Sequence, residues 1–297
     1  RRVLFRSPAG TYSVDAAIDM RNRFVRLVGD GPTRSGIVPS LAVHSIIDLN
    51  QASLFPSAGY ATLDNRSTPF VIDGLGFDGN NYKANNALAI SFRQNFQIRN
   101  VNIKSCNNGI TEASTTSGYH ENLFITDCGR SGLNLGDKSV AYRSATTFAE
   151  ANSWAAVKSS VFNTTRVTGN TPLGVALIST EGLKFNGLDL TELRPPVDAA
   201  PYSANLYNTQ TFNLPLGTGV YSDFSVCSID GSRMGQNCSG PVIFTADGHV
   251  TVDRSVLSYG YNSNNTIHHS FWGQVEIHNS TVAPAYSFAN KIGRAHV

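Results

Sequence analysis

Carboxyl groups at repeating positions have the clearest chemical potential in this sequence. Asp127 and Glu192 fall in one column of a repeat of about 22 residues, with Gly169 between them. If adjacent repeats stack about 4.8 Å apart, these carboxylates are separated by roughly 10 Å. That is near the ~6.5–9.5 Å of inverting glycosidases, in which a water molecule fits between general acid and general base. Asp137, at the edge of the neighbouring loop, is a third catalytic candidate.

The alternative role for these carboxylates is structural. Asp127 and Glu192 could end strands and cap turns by accepting hydrogen bonds from backbone N–H groups, which is the commoner use of such residues. The spacing alone does not distinguish the two roles.

Cations near the same edge indicate a second chemistry, elimination by a polysaccharide lyase. Such an enzyme needs a base to remove the proton α to a uronate carboxylate, and a positive group to neutralise that carboxylate. Lys104, Arg130 and His120 are the candidates for these roles, with Arg166 and Tyr119 beside them as substrate-binding residues. A lone histidine at the start of a strand is commonly structural, which is the alternative for His120.

Asp78 precedes Lys104 by one repeat, in an outward column. It could contact substrate or bind Ca²⁺, the cofactor expected only of a lyase, or it could simply pair with the lysine. No other cofactor is required. His268 and His269 have no cysteine or aspartate at ligand spacing, so the sequence predicts no metal site.

Aromatic residues in polar, loop-like stretches are candidates for sugar binding, because flat rings stack on the apolar faces of sugars. Tyr202 and Trp272 are the candidates that we select. The alternative is that these rings fold back and cover the ends of the core.

Short alternating segments must position all of these residues. Apolar residues never recur at helical spacing over a long stretch, whereas VIDGLGF, FQIRNVNI and LKFNGLDL alternate and end in turn formers. Leu75 aligns with Val101 and then with Leu123, at spacings of 26 and 22 residues. The second spacing also places Cys106 over Cys128.

A second strand follows the first at a nearly constant offset, around Gly109, Gly132 and Gly174. Two strands in fixed phase predict a parallel β-solenoid, in which every strand pairs with its equivalent one turn away. Corner Asn and Gly residues supply the left-handed backbone conformations that tight bends require. A jelly roll or sandwich is the alternative, but its strands need not repeat at one period.

Both ends of the chain resemble translations of a common sequencing adapter, RRVLFRS at residues 1–7 and KIGRAHV at residues 291–297. We expect residues 8–290 to form a single β-helix domain, truncated at both ends. Five of the 23 Lys and Arg residues lie in these ends, so the net charge of the remainder is −3 rather than +2. Neither value suits a protein that neutralises many phosphates, which argues against a nucleic-acid partner. No apolar run is long enough to predict a membrane span.

Three stretches carry a resemblance to a known family: PAGTYSV at Pro8 to Val14, RFVRLVGDGPTRSGI at Arg23 to Ile37, and VIDGLGFDGNN at Val71 to Asn81. They resemble the start of right-handed β-helix proteins of the pectate-lyase-like superfamily, which includes phage tailspikes. The resemblance implies an all-β, single-stranded right-handed parallel β-helix, and it covers Pro8 to about Gly136 well. Asp137 to Asn163 and Arg194 to Gly217 break the period and are expected to be long loops leaving the coil.

The resemblance implies binding, and often cleavage, of long acidic or neutral polysaccharides along one face of the coil. The NTD, DD and GHG motifs of polygalacturonases and the WxDH-like signature of pectate lyases are absent, so neither named activity is predicted. The leading hypothesis is a polysaccharide-degrading hydrolase or lyase, extracellular or virion-associated. The alternative is a non-catalytic adhesin or tail-fibre module whose β-helix is a rigid stalk, which could form a homotrimer. An enzyme should bring at least two candidate catalytic residues together, whereas a stalk should leave them scattered and solvated.

Overall fold

In the computed structural model of this chain, every regular element among the described residues is a β-strand. The structure describes residues 3–20, 25–50, 69–136, 157–205, 211–258, 267–269 and 273–282. Within these ranges, no helix has the length and apolar character needed to cross a bilayer. The prediction of an all-β chain is confirmed.

The strands are short, and their bounds follow in chain order. The first are β1 (Val3–Ser7), β2 (Gly10–Val14), β3 (Ile18–Asp19), β4 (Val25–Gly29), β5 (Ser35–Pro39), β6 (Val43–Asn50), β7 (Val71–Asp78) and β8 (Ala84–Ser91). Next come β9 (Gln97–Lys104), β10 (Asn108–Ala113), β11 (Thr115–Thr116), β12 (Tyr119–Thr126), β13 (Ser131–Leu135), β14 (Val157–Lys158), β15 (Val161–Thr168), β16 (Leu173–Ile178) and β17 (Thr180–Leu190). The last are β18 (Ser203–Asn205), β19 (Thr211–Asn213), β20 (Thr218–Asp230), β21 (Arg233–Met234), β22 (Ile243–Asp253), β23 (Val256–Leu257), β24 (Ile267–His269), β25 (Gln274–His278) and β26 (Thr281–Val282).

Parallel pairing between successive turns builds the molecule. The first sheet runs through β7, β9, β12, β15 and β17, and the second runs through β8, β10, β13 and β16. A short third sheet contains β11, β14 and the start of β17. β20 and β22 turn a corner, so their first halves extend the second sheet and their last halves extend the first. This coil is a parallel β-helix, and its parallel pairings exclude the jelly roll or sandwich.

The register confirms the repeat that the sequence predicts. Leu75 pairs with Val101, and Val101 pairs with Leu123. In the second sheet, Ile110 pairs with Leu133, which places Gly109 over Gly132 as expected. All four cysteines of the chain are buried free thiols.

One residue in each turn of the first sheet has a left-handed backbone, and these residues stack in register. They have φ between 47° and 71° and are Gly74, Asn100, Asn122, Thr164, Gly187, Gly231, Arg254 and Asn279. Asparagine tolerates this conformation better than most residues, and its side chain also links turns. Asn122 Nδ2 donates a hydrogen bond to Asn100 Oδ1 across 2.9 Å. Thr164 and Arg254 are the members of this in-strand column that are neither Asn nor Gly. At the turns, Asn80, Asn95 and Gly169 also have positive φ, which confirms the predicted use of Asn and Gly at bends.

These left-handed residues shift the alternation of inward and outward side chains by one position. In β12, His120 before Asn122 and Leu123 after it are both buried. In β9, Ile98 and Val101 are buried on either side of Asn100 for the same reason. Both halves of each strand therefore contribute to one core inside the coil.

A column of stacked rings fills part of that core. Phe70 and Phe96 stack with centroids 4.9 Å apart, and His120 meets the edge of Phe96 at 5.5 Å. His120 stacks on Phe162 at 4.0 Å, and Phe162 stacks on Phe185 at 4.8 Å. Each such pair adds about 0.5–1.5 kcal/mol to the stabilisation from burial alone.

Residues 194–205 and 211–217 leave the coil as predicted, and β18 and β19 form an antiparallel hairpin within them. Tyr202 and Leu214 of this loop pack against Tyr221 and Phe244 on the outer face of the second sheet. The other predicted loop, 137–163, ends earlier than the sequence predicts. β14 and β15 begin inside it, because Val157 and Phe162 continue the buried columns of the coil.

The predicted adapter-derived ends differ in what the structure describes. β1 lies inside the N-terminal segment and pairs with β4, from Val3 with Val25 to Ser7 with Gly29. Residues 291–297 lie outside the described residues.

Candidate functional site

The candidate site lies where the first sheet ends and the chain turns toward the second. Left-handed residues stack there, and we call Ser105, Asp127, Gly169 and Glu192 the corner column, with φ of 55°, 53°, 78° and 61°. The Asp127 N–H donates to Thr168 O at 3.3 Å, and the Gly169 N–H donates to Glu192 O at 3.0 Å. The structure therefore places the two candidate carboxylates two levels apart at one edge of the coil, with Gly169 on the level between them. Gly169 itself bridges to Leu193, the residue after Glu192.

Asp127 is half-buried and accepts hydrogen bonds with both carboxylate oxygens. Oδ1 accepts from the Asn170 N–H at 2.9 Å, and Oδ2 accepts from the Thr126 hydroxyl at 3.0 Å. These contacts cap the turn, which is the structural alternative for this residue. Because an ionised carboxylate offers about four acceptor positions, the group keeps acceptor capacity toward solvent.

On the level between the two carboxylates, the corner position is occupied by a glycine, Gly169. Gly169 has φ of 78°, and a Cβ there would collide with the Asp127 carboxylate and lie 2.7 Å from Thr126 Oγ1. Glycine at this level therefore lets the Asp127 carboxylate lie against the backbone of the next turn, where it accepts the hydrogen bond from the Asn170 N–H.

Glu192 belongs to an exposed cluster around Arg166. The Glu192 side chain is 56% exposed, and its Oε2 lies 4.0 Å from Arg166 Nη2. Arg166 Nε lies 3.6 Å from Asp189 Oδ2, and the guanidinium carbon is 5.5 Å from the centroid of the Phe124 ring. Exposed pairs of this kind contribute little to stability, about 0–1 kcal/mol, so the cluster is not explained as a stabilising device.

Lys104 and Asp78 form an ion pair one column away. Lys104 Nζ lies 3.0 Å from Asp78 Oδ2. The other oxygen, Oδ1, accepts a hydrogen bond from the Asn80 N–H at 2.9 Å. This is the pairing that the sequence allowed as an alternative to substrate or Ca²⁺ binding by Asp78.

Arg130 and Tyr202 meet beside the corner column. The Arg130 guanidinium carbon lies 5.7 Å from the centroid of the Tyr202 ring. The Tyr202 hydroxyl donates to Asn134 Oδ1 at 3.1 Å. Tyr202 itself is only 6% exposed. Its ring is therefore folded back against the coil, which is the structural alternative, and it positions Arg130 instead of offering a face to a sugar.

His120 lies inside the coil. Its Nε2 is 2.6 Å from Glu112 Oε1, and both side chains are 0% exposed. The two atoms are in close contact, although their geometry is not that of a hydrogen bond. A polymer on the outside of the coil cannot reach this ring, so its surroundings are those of a structural histidine. Removal of a substrate proton by His120 finds no support in this placement.

Three candidate residues remain, Tyr119, Asp137 and Trp272. Tyr119 is half-buried at the start of β12 and pairs in register with Gln97 and Val161. Asp137 and Trp272 lie outside the described residues. Among the residues that the structure describes, no group of three or more His, Cys, Asp or Glu side chains is arranged to hold a metal ion.

Sequence reasoning missed Tyr82. Its ring is 42% exposed and lies against Gly129, where an added Cβ would be 3.2 Å from Tyr82 Cδ1. Partial burial and the nearby Asp127 carboxylate raise the pKa of the Tyr82 hydroxyl. An exposed ring thus lies next to a candidate carboxylate. The Asn-Asn-Tyr-Lys stretch before β8 reads as an ordinary turn, so only the stacking of turns could reveal it.

Comparisons with known proteins identify the fold. No family model matches the chain, and no curated protein matches its sequence. Tailspike protein 2 of the Escherichia coli O157:H7 bacteriophage CAB120 has a similar structure, with a TM-score of 0.62 and 10% identity over 93% of this chain. The Geobacillus virus E2 protein ORF18 is similar with a TM-score of 0.52 and 14% identity over 95% of this chain. At a lower TM-score of 0.44, the catalytic domain of a GH87 α-1,3-glucanase matches 95% of this chain with 10% identity.

The chain spans 34% of the tailspike and 53% of the ORF18 protein. The likeness confirms that this chain has the right-handed parallel β-helix fold, the fold that the family resemblance implies.

Proposed function

We propose that this protein binds a polysaccharide along the corner column and hydrolyses it with Asp127 and Glu192. One observation carries the proposal: the half-buried Asp127 and the exposed Glu192 belong to the same column, with a glycine, Gly169, on the level between them. Two levels of about 4.8 Å give a separation of roughly 10 Å between the two positions. Inverting glycosidases place a water molecule in a gap of nearly this size.

Hydrolysis needs one carboxyl group to protonate the departing glycosidic oxygen and the other to activate water on the opposite face of the sugar. The exposed Tyr82 ring beside Asp127 would support a sugar residue next to the acid and the base. A lyase is less well supported, because Lys104 is paired with Asp78 and His120 is enclosed in the core. Hydrolysis by two carboxylates requires no cofactor.

A second candidate function is binding without cleavage, by an adhesin or a tail-fibre stalk. It is favoured by the two hydrogen bonds that the Asp127 carboxylate accepts, one from the Thr126 hydroxyl and one from the Asn170 N–H of the adjacent turn. The similarity in fold to a phage tailspike supports a virion-associated or extracellular location under either function. A homotrimer remains a prediction of the stalk hypothesis, which light scattering of the purified chain would check.

Mass spectrometry of products tests the proposal. The full chain is incubated with a panel of neutral and uronate-containing polysaccharides, beside Asp127→Asn, Glu192→Gln and the control Glu181→Gln. Glu181 is an exposed carboxylate that pairs with Lys158 on the short third sheet. We expect oligosaccharides that carry one added water, lost in the first two variants and kept in the control.

Other products would overturn parts of the proposal. Unsaturated oligosaccharides would replace hydrolysis by elimination. Retention on a polysaccharide without any products would favour the non-catalytic function. A folded chain that neither binds nor cleaves any polysaccharide in the panel would refute both candidates.

A further inference from the structure

An exposed arginine follows each carboxylate of the corner column. Arg130 comes three residues after Asp127, and Arg194 comes two residues after Glu192. Neither arginine forms an ion pair with a carboxylate among the described residues. Lys104 and Arg166, in contrast, are both paired with acidic side chains.

Among the described residues, the contacts that hold Arg130 in place are with uncharged groups. Its guanidinium lies over the Tyr202 ring, and the Tyr202 hydroxyl is anchored on Asn134. A cation–π contact orients a guanidinium without neutralising it, and its N–H donors remain available at the edges of the plane. The buried position of Tyr202 fixes this support.

Arg194 is oriented in a similar way, two levels further along the coil. Its backbone N–H donates to Gly169 O at 2.9 Å, which holds it against the corner column. Its Nε donates to Asn237 O at 2.8 Å. One side of the guanidinium is therefore fixed by a neutral carbonyl, and the terminal nitrogens remain as donors.

We propose that Arg130 and Arg194 bind acidic substituents of the polysaccharide, so that the substrate of this site is an anionic glycan. This inference rests on the proposed binding of a polysaccharide at the corner column. A planar guanidinium donates two parallel hydrogen bonds to a carboxylate or a sulfate, and an oriented, unpaired one binds such a group without first breaking an ion pair. The two arginines, one near the level of each carboxylate, would each hold one acidic group of a polymer that runs along the coil.

Binding to matched polymers tests the inference. The full chain is titrated with polygalacturonate, alginate and hyaluronan, and with each polymer after reduction of its carboxyl groups to alcohols. Dextran and dextran sulfate form a further pair that separates sulfate from carboxylate. The variants are Arg130→Gln, Arg194→Gln, Arg130→Lys and the control Arg26→Gln, which removes the same charge from an exposed position of β4.

We expect at least one acidic polymer to bind more tightly than its reduced counterpart. Each of Arg130→Gln and Arg194→Gln should weaken that binding by about tenfold, the size of one lost charge-assisted hydrogen bond, and leave the reduced polymer unaffected. Arg130→Lys should recover only part of the affinity, because lysine lacks the planar fork. Arg26→Gln should bind as the unchanged chain does.

The outcomes separate this inference from the proposed function. Equal binding of acidic and reduced polymers, or an equal loss in Arg26→Gln, would overturn the inference and leave polysaccharide binding intact. The absence of binding to every polymer, neutral ones included, would overturn the proposed function as well. Circular dichroism and the melting temperature of each variant confirm that the fold is kept.

Discussion

Substituting phenylalanine for His120 should destabilise the coil, although the substitution keeps an aromatic ring between Phe96 and Phe162. In the unchanged chain, His120 Nε2 and Glu112 Oε1 are 2.6 Å apart in a site with 0% exposure of either side chain. His120→Phe leaves the Glu112 carboxyl group buried, with the Thr115 hydroxyl at 3.0 Å as its remaining partner. Removing one partner of a buried pair typically costs about 3–5 kcal/mol.

The expected change in melting temperature follows from that cost. Domains of roughly 150–250 residues lose about 2–4 °C per kcal/mol, so His120→Phe should melt at least ~6 °C below the unchanged chain. The measurement is thermal unfolding followed by circular dichroism at one fixed scan rate. Urea unfolding provides a second measure, with the midpoint compared at an unchanged slope.

A double variant separates the pair from the loss of packing. Replacing both partners by apolar residues is often close to neutral, so His120→Phe with Glu112→Leu should be more stable than His120→Phe alone. The reasoning fails if His120→Phe costs less than about 1 kcal/mol, or if the costs of the two single changes simply add.

Two further predictions concern the corner column and the buried thiols. Gly169→Ala should destabilise the coil more than Gly231→Ala, and should abolish cleavage, because both glycines have positive φ but only Gly169 has the Asp127 carboxylate in the way of a Cβ. Equal melting temperatures of the two variants would contradict the collision. Burial raises the pKa of Cys106 and Cys227 to about 12, so these thiols stay protonated and should not react with a disulfide reagent at pH 8 until the chain is denatured. Rapid labelling of the native chain would contradict their placement.

The sequence alone was sufficient for the coil and for the column that contains Asp127, Gly169 and Glu192. In a stacked coil, residues that match when successive repeats are aligned lie above one another. The same rule correctly aligned Leu75 with Val101. It gave the wrong end for the loop before β15, because buried residues of the coil reappear earlier in the chain than the repeat can be recognised in the sequence.

The spacing of residues could not predict whether the His120 side chain points into the coil or out of it. Plain alternation from Leu123 would place His120 on the outside of β12, but the left-handed backbone of Asn122 shifts the alternation by one and turns His120 inward. That shift depends on the backbone conformation of a single residue, and asparagine can also adopt ordinary strand geometry.

Partners of the surface residues were decided only by the tertiary structure. The spacing placed Lys104, Arg130 and Arg166 near one edge, but it could not show which would be neutralised by a carboxylate and which would rest on Tyr202. Those contacts depend on where a loop returns and which turn lies beneath it. The sequence thus determined the position of each residue on the coil, because stacking is periodic. The tertiary structure determined its burial and its partners, because these depend on side chains from distant parts of the chain.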